Sequence, residues 1–177
     1  QSVSRVGGAA QIKAMRAAVG TLKGDLAQFR ELEAFASFGS ELDAVSQATL
    51  DRGYRLTELL KQGINSPMPV EEQCVVIFAG TRGYLANIDL PDVGRFESEL
   101  LDWFRTRHAD VLESIRSTGK LGDEDAFEGA IKAFAEQFRP STGDSTAPAI
   151  EAPGDADATV KRGTVHLPEE EVSREEA

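Results

Sequence analysis

Few residues in this chain have the type and setting that chemistry needs. Arg5, with Ser2 just before it, stands ahead of a helix-forming run, and on residue type alone it reads as a solvated linker residue. Gly7 and Gly8 precede the same run, where free N–H groups at a helix start attract anions; close backbone packing explains two glycines equally well. His108 lies among Trp103, Phe104 and Val111 on a helical segment, which favours a packed or edge-exposed imidazole over a catalytic one, and His166 has no partner nearby. Cys74, the only cysteine, falls within an apolar run. No internal disulfide is possible, and a reduced, intracellular setting is expected. The chain lacks a glycine-rich loop ending in Gly-Lys-Ser or Gly-Lys-Thr, paired Cys or His ligands, and a Gly-x-Ser-x-Gly turn. A self-contained enzyme is therefore not expected.

Composition sets the frame for these residues. The chain has 177 residues, is 41% hydrophobic and 28% charged, and carries a formal charge of -11. That balance suits a globular protein and argues against nucleic acid, whose affinity is drawn from clustered Lys and Arg. The longest apolar run, Cys74 to Gly80, is far short of the roughly 20 residues needed to cross a bilayer, so no membrane insertion is expected. The N-terminus has neither an initiator Met nor a signal-peptide pattern, and it reads as a cut inside a longer protein.

The elements that must position the candidates are helical. Leu22, Leu26, Phe29, Leu32, Phe35 and Phe38 recur at steps of three and four, which predicts a helix from Ala9 to about Phe38, weakened at Gly20 and Gly24. Gly39 and Ser40 end it, and Ser40 is the expected cap of a second helix from about Leu42 to Gln62. Pro69 opens a third helix with Glu71 and Glu72 in its first turn and Val70, Cys74, Ile77 or Phe78, and Tyr84 or Leu85 on its buried face. Pro91 opens a long fourth helix carrying Phe96, Leu100, Trp103, Val111 and Ile115, ended by Thr118 and Gly119. Phe127, Ile131, Phe134 and Phe138 mark a fifth, from Asp123 to Phe138. No segment shows the period of two of a half-buried strand. The expectation is an all-α antiparallel array of about five to seven helices. Beyond Arg139 the composition turns to Pro, Ser, Thr, Gly, Ala and acidic residues without an aromatic, which predicts a disordered acidic tail over 140–177.

Gln1 to Gln11 is similar to the Ser-Val-Ser-Arg-Val-Gly-x-Ala-Ala-Gln stretch of F-type ATP synthase alpha subunits, which directly follows the nucleotide-binding domain in that family. Leu26 to Ser40, Leu56 to Gln62, Pro67 to Gln73, and Arg82 to Leu85 keep the family's order, so the resemblance covers residues 1 to about 139. It implies that residues 1–8 end a nucleotide-binding domain and that 9–139 form a C-terminal helical domain. The tail resembles the extensions of some actinobacterial alpha subunits, which leaves a regulatory strand and a solvated terminus as its two readings.

The resemblance also implies roles. Arg5 matches the arginine finger that alpha inserts into the catalytic site of a neighbouring beta subunit, and Ser2 a serine required beside it. Gln62 matches one of two glutamines that contact the adenine of alpha's non-exchanging nucleotide. The second of those positions is Ile64 here, which leaves only backbone or apolar contact with the base. Gly39, Ser40, Glu41 and Asp43 match the helix-turn-helix tip that faces the gamma rotor; Glu41 and Asp43 also read as ordinary first-turn acids. The implied cofactor is ATP or ADP with Mg, whose phosphate loop and metal ligands lie upstream of Gln1. The implied partners are beta and gamma, with delta as a further candidate, in a hexamer of three alpha and three beta chains on the cytoplasmic face of a bacterial plasma membrane. Within the complex the activity would be proton-driven ATP synthesis, and the fragment alone would be inactive. The rival readings are an autonomous helical interaction module and a subunit of a related flagellar or vacuolar-type ATPase.

Overall fold

Helix boundaries fall largely where the backbone leaves no choice. The computed structural model describes residues 5–37 and 42–141. Among them it contains α1 (Arg5–Ala10), α2 (Lys13–Val19), α3 (Leu22–Ala36), α4 (Ala44–Leu59), α5 (Val70–Thr81), a 3-10 turn (Leu90–Asp92), α6 (Val93–Arg107), α7 (Ala109–Thr118) and α8 (Glu124–Gln137). The expected all-α class holds, and no strand is present among the described residues. The predicted disorder of 140–177 falls, from residue 142 on, outside the described residues.

The first predicted helix begins earlier than Ala9, at Arg5, and is divided at Gln11–Ile12 as well as at Gly20. Gly20 adopts φ +39, which breaks the run before Leu22, whereas Gly24 stays within α3. The cap of α4 is Asp43, whose carboxylate accepts the Ser46 N–H at 2.9 Å; Ser40 lies outside the described residues. Pro69 opens α5 as expected, its carbonyl accepting the Gln73 N–H at 3.0 Å. The long fourth helix is divided at His108, whose φ of -134 and ψ of 37 leave the helical region. Gly119, at φ +67, closes α7 with a left-handed cap, and Asp123 caps α8.

The core is built around α5, which packs against α2, α4, α6 and α7. Its Cys74, Val75, Val76, Phe78 and Ala79 are buried on all sides, the pattern of a central helix. Val70, expected on the buried face, is instead 38% exposed at the first turn, before α5 enters the core. Phe78 meets Phe127 edge-on at 5.1 Å, and Phe96 meets Phe134 and Phe138 at 5.3 and 5.2 Å. This aromatic layer fastens α8 to α5 and α6.

Two devices fix the periphery. Gly53 of α4 lets the Phe29 ring of α3 lie against its backbone, where a Cβ would come within 2.2 Å of the ring. At the C-terminal end Asp92 accepts the Ser141 N–H at 2.6 Å and its hydroxyl at 2.9 Å, while Arg95 donates to the Arg139 carbonyl at 2.7 Å. The chain is thus clasped to the body as far as Ser141.

Candidate functional site

Arg5 is the first residue of α1, and its position depends on how that short helix is tied to the body. Arg16 of α2 donates from Nη2 to the Ala9 carbonyl at 2.8 Å, and the Ala14 N–H donates to the Gly119 carbonyl at 2.8 Å. Ile12, between α1 and α2, packs against Gly119, where a Cβ would stand 3.6 Å from it. The start of α2 is therefore anchored on the end of α7, and Arg16 ties the end of α1 to α2. Ser2 lies outside the described residues.

Gln62 and Ile64 are brought together on the loop between α4 and α5. The helix closes with Lys61 N–H on the Glu58 carbonyl at 3.1 Å, and a tight turn follows in which Ser66 N–H reaches the Gly63 carbonyl at 3.3 Å. Asn65 takes the left-handed conformation at φ 58, which its short polar side chain tolerates. Gln62 is exposed, and Ile64 is 93% exposed, an unusual setting for a β-branched apolar side chain. Such a loop offers an amide and an aliphatic side chain to whatever packs on it.

The C-terminal end of the loop is held firmly. Gln73 donates from Nε2 to the Met68 carbonyl at 2.7 Å. Arg105 bridges both oxygens of Glu72 at 2.8 Å each, and Arg116 donates to Glu71 from Nε at 2.9 Å and Nη2 at 2.5 Å. Burial pushes the Glu71 carboxyl upward, but its own backbone N–H and the Arg116 guanidinium outweigh that and leave its pKa lowered. The two acids stand in the first turn as expected, and they are also buried and paired. Sequence spacing could not have found these links, because Arg105 and Arg116 lie 33 and 45 positions away from them.

The remaining candidates separate. Gly39, Ser40 and Glu41 lie outside the described residues. Asp43 caps α4, one position ahead of the first turn expected for it, and the Ser46 hydroxyl and N–H lower its pKa. His108 is half-buried with its ring 5.4 Å from Phe104 and 6.1 Å from Trp103, as the packed reading expects. Cys74 is fully buried and its pKa is pushed up to about 11, by burial first and by the Glu71 charge second. No group of three or more His, Cys, Asp or Glu side chains placed to hold a metal occurs among the described residues. No helix there is long and apolar enough to cross a membrane.

The family model described as ATP synthase alpha/beta chain, C terminal domain, matches residues 11–138. The chain belongs to that family. Among curated members, ATP synthase subunit alpha of Thermobifida fusca is 54% identical over 157 residues, 88% of this chain and 28% of the relative. Subunit alpha of Mycobacterium marinum is 56% identical over 149 residues, 83% of this chain and 27% of the relative. Subunit alpha of Lactobacillus helveticus is 54% identical over 140 residues, 79% of this chain and 28% of the relative. The chain therefore spans a little over a quarter of the length of these relatives. Its likeness is to the C-terminal domain of the alpha/beta family, and within it to bacterial alpha subunits.

Proposed function

We propose that this chain works as the helical base of an F1 alpha subunit and delivers Arg5 to the catalytic site of an adjacent beta subunit. The observation that carries this reading is the identity of 54% over 157 residues with an ATP synthase alpha subunit. Phosphoryl transfer spreads charge over the equatorial oxygens of the moving group, and a fixed guanidinium with forked donors stabilises that charge by several powers of ten in rate. In the same reading Ser2, three residues ahead of Arg5, supports the finger. Residues 1–8 close the preceding nucleotide-binding domain, and the helical domain follows.

In the same reading the Gln62 amide and the Ile64 side chain meet the adenine of the nucleotide that alpha retains. An amide can donate and accept side by side, as an adenine edge requires, and Ile64 supplies apolar cover only. In this reading the phosphate loop and the Mg ligands of that site come from residues upstream of Gln1. Gly39, Ser40, Glu41 and Asp43 form the tip that meets gamma, where acids face basic rotor residues. Three such chains alternate with three beta chains, with delta as a further contact, and the complex sits peripherally on the cytoplasmic face of the bacterial plasma membrane. It couples proton flow to ATP synthesis.

Steady-state ATP turnover of the full complex carrying Arg5→Ala tests the reading, with nucleotide occupancy as the control. Turnover falls by at least about a thousandfold while occupancy is kept. Ordinary turnover would remove Arg5 from catalysis.

A further inference from the structure

The loop between α4 and α5 is held at both ends, on the surface at its N-terminal end and against the core at its C-terminal end. Its N-terminal half, Lys61 to Ser66, is exposed; Lys61 bonds Glu58 through its N–H and its ammonium, and the turn beyond is closed by Ser66 on Gly63. Its C-terminal half is held by the Gln73 amide on the Met68 carbonyl, at the point where Met68 packs on the core. Directly behind Gln73, Glu71 and Glu72 are 3% and 8% exposed and locked to Arg116 and Arg105, so the first turn of α5 is a rigid base.

From this arrangement we propose that Gln73 is a positioning residue for the base-contacting loop: its side-chain N–H fixes Met68 and thereby the path of Gln62 and Ile64. This rests on the reading that the loop meets a nucleotide base. The physical reason is one of leverage. Among the described residues the Met68 carbonyl accepts from Gln73 alone, and Pro67 and Pro69 on either side remove two N–H groups, so the segment around it has few backbone bonds of its own. The Gln73 amide therefore sets how the loop enters α5. Because Gln73 is only half-buried, its loss leaves the aromatic core intact.

The test uses Gln73→Met, which keeps the length and removes the donor, and Gln62→Ala as a separate probe of the base contact. In the Gln73→Met chain, exchange of the Ser66 amide accelerates about five- to tenfold, the size of one hydrogen bond. In the assembled complex its retained ATP dissociates faster by a similar factor. Gln73→His, which keeps a donor, restores both. Unchanged Ser66 exchange in a folded Gln73→Met chain overturns the proposal. So does unchanged ATP release in Gln73→Met when Gln62→Ala does speed release. If Gln62→Ala leaves release unchanged, the base-contact reading fails instead, and with it the role assigned to Gln73. Should Gln73→Met not fold, the unaltered chain still decides: the Gln73 side-chain amide protons exchange more slowly than those of exposed Gln62, and equal rates overturn the proposal.

Discussion

Arg105 meets Glu72 with both prongs of its fork, Nε to one carboxylate oxygen and Nη2 to the other, each at 2.8 Å. Glu72 is 8% exposed while the Arg105 side chain is 49% exposed, so a buried acid is neutralised by a cation that keeps one side in water. Arg105→Ala leaves the acid unpaired. Solvent reaches the site, which reduces the cost to about 1–2 kcal/mol rather than the larger value of a fully buried pair. Arg105→Lys, which cannot bridge both oxygens, recovers part of it. Urea denaturation of the three chains checks the order.

Gly53→Ala places a Cβ on the Phe29 ring, within 2.2 Å of its atoms. Overpacking costs about 1–3 kcal/mol, and the better helix propensity of Ala returns up to about 1 kcal/mol of that. The expected net loss is about 1–2 kcal/mol, confined to the pairing of α3 with α4. Adding Phe29→Leu to make room recovers part of the loss, as thermal melting of single and double variants will show.

Acid should loosen the C-terminal clasp. The Ser141 N–H lowers the Asp92 carboxyl below the ordinary aspartate value of 3.8, burial works against it, and the Ser141 hydroxyl and Arg95 add to the lowering. Folding lowers this pKa, so the clasp contributes fully above pH 3.8, fades as pH falls through the folded value, and is lost below it. Protection of the Ser141 amide follows that course. In Asp92→Asn the protection is already weak at pH 7 and has no such acid step.

Cys74 reports global opening. With its thiol fully buried and its pKa raised to about 11, it resists thiol reagents at pH 8 in the folded chain. Labelling then proceeds at the rate of unfolding and does not depend on reagent concentration once reagent is in excess.

Much of the fold was legible because it is locally encoded. Pro69, Gly119 and Asp123 each act on their own backbone, and each marks a boundary where expected. The division at His108 was not legible, since Trp103, Val111 and Ile115 keep a helical spacing across a joint with neither Pro nor Gly. Ser40 looked like a cap because caps are read from residue type, whereas Asp43 owns the observed bond. The candidate site divides in the same way. Gln62 and Ile64 fall on one loop because they are near in sequence, while the arginines that secure its base come from α6 and α7, beyond any local pattern.

A density map of the assembled complex, with a non-hydrolysable ATP analogue in the beta sites, measures the central claim directly. The distance from the Arg5 guanidinium to the terminal phosphate group is then about 3 Å, a charge-assisted hydrogen bond across the subunit boundary. A guanidinium standing more than about 10 Å from every bound phosphate, beyond a Debye length at ordinary salt, would contradict it.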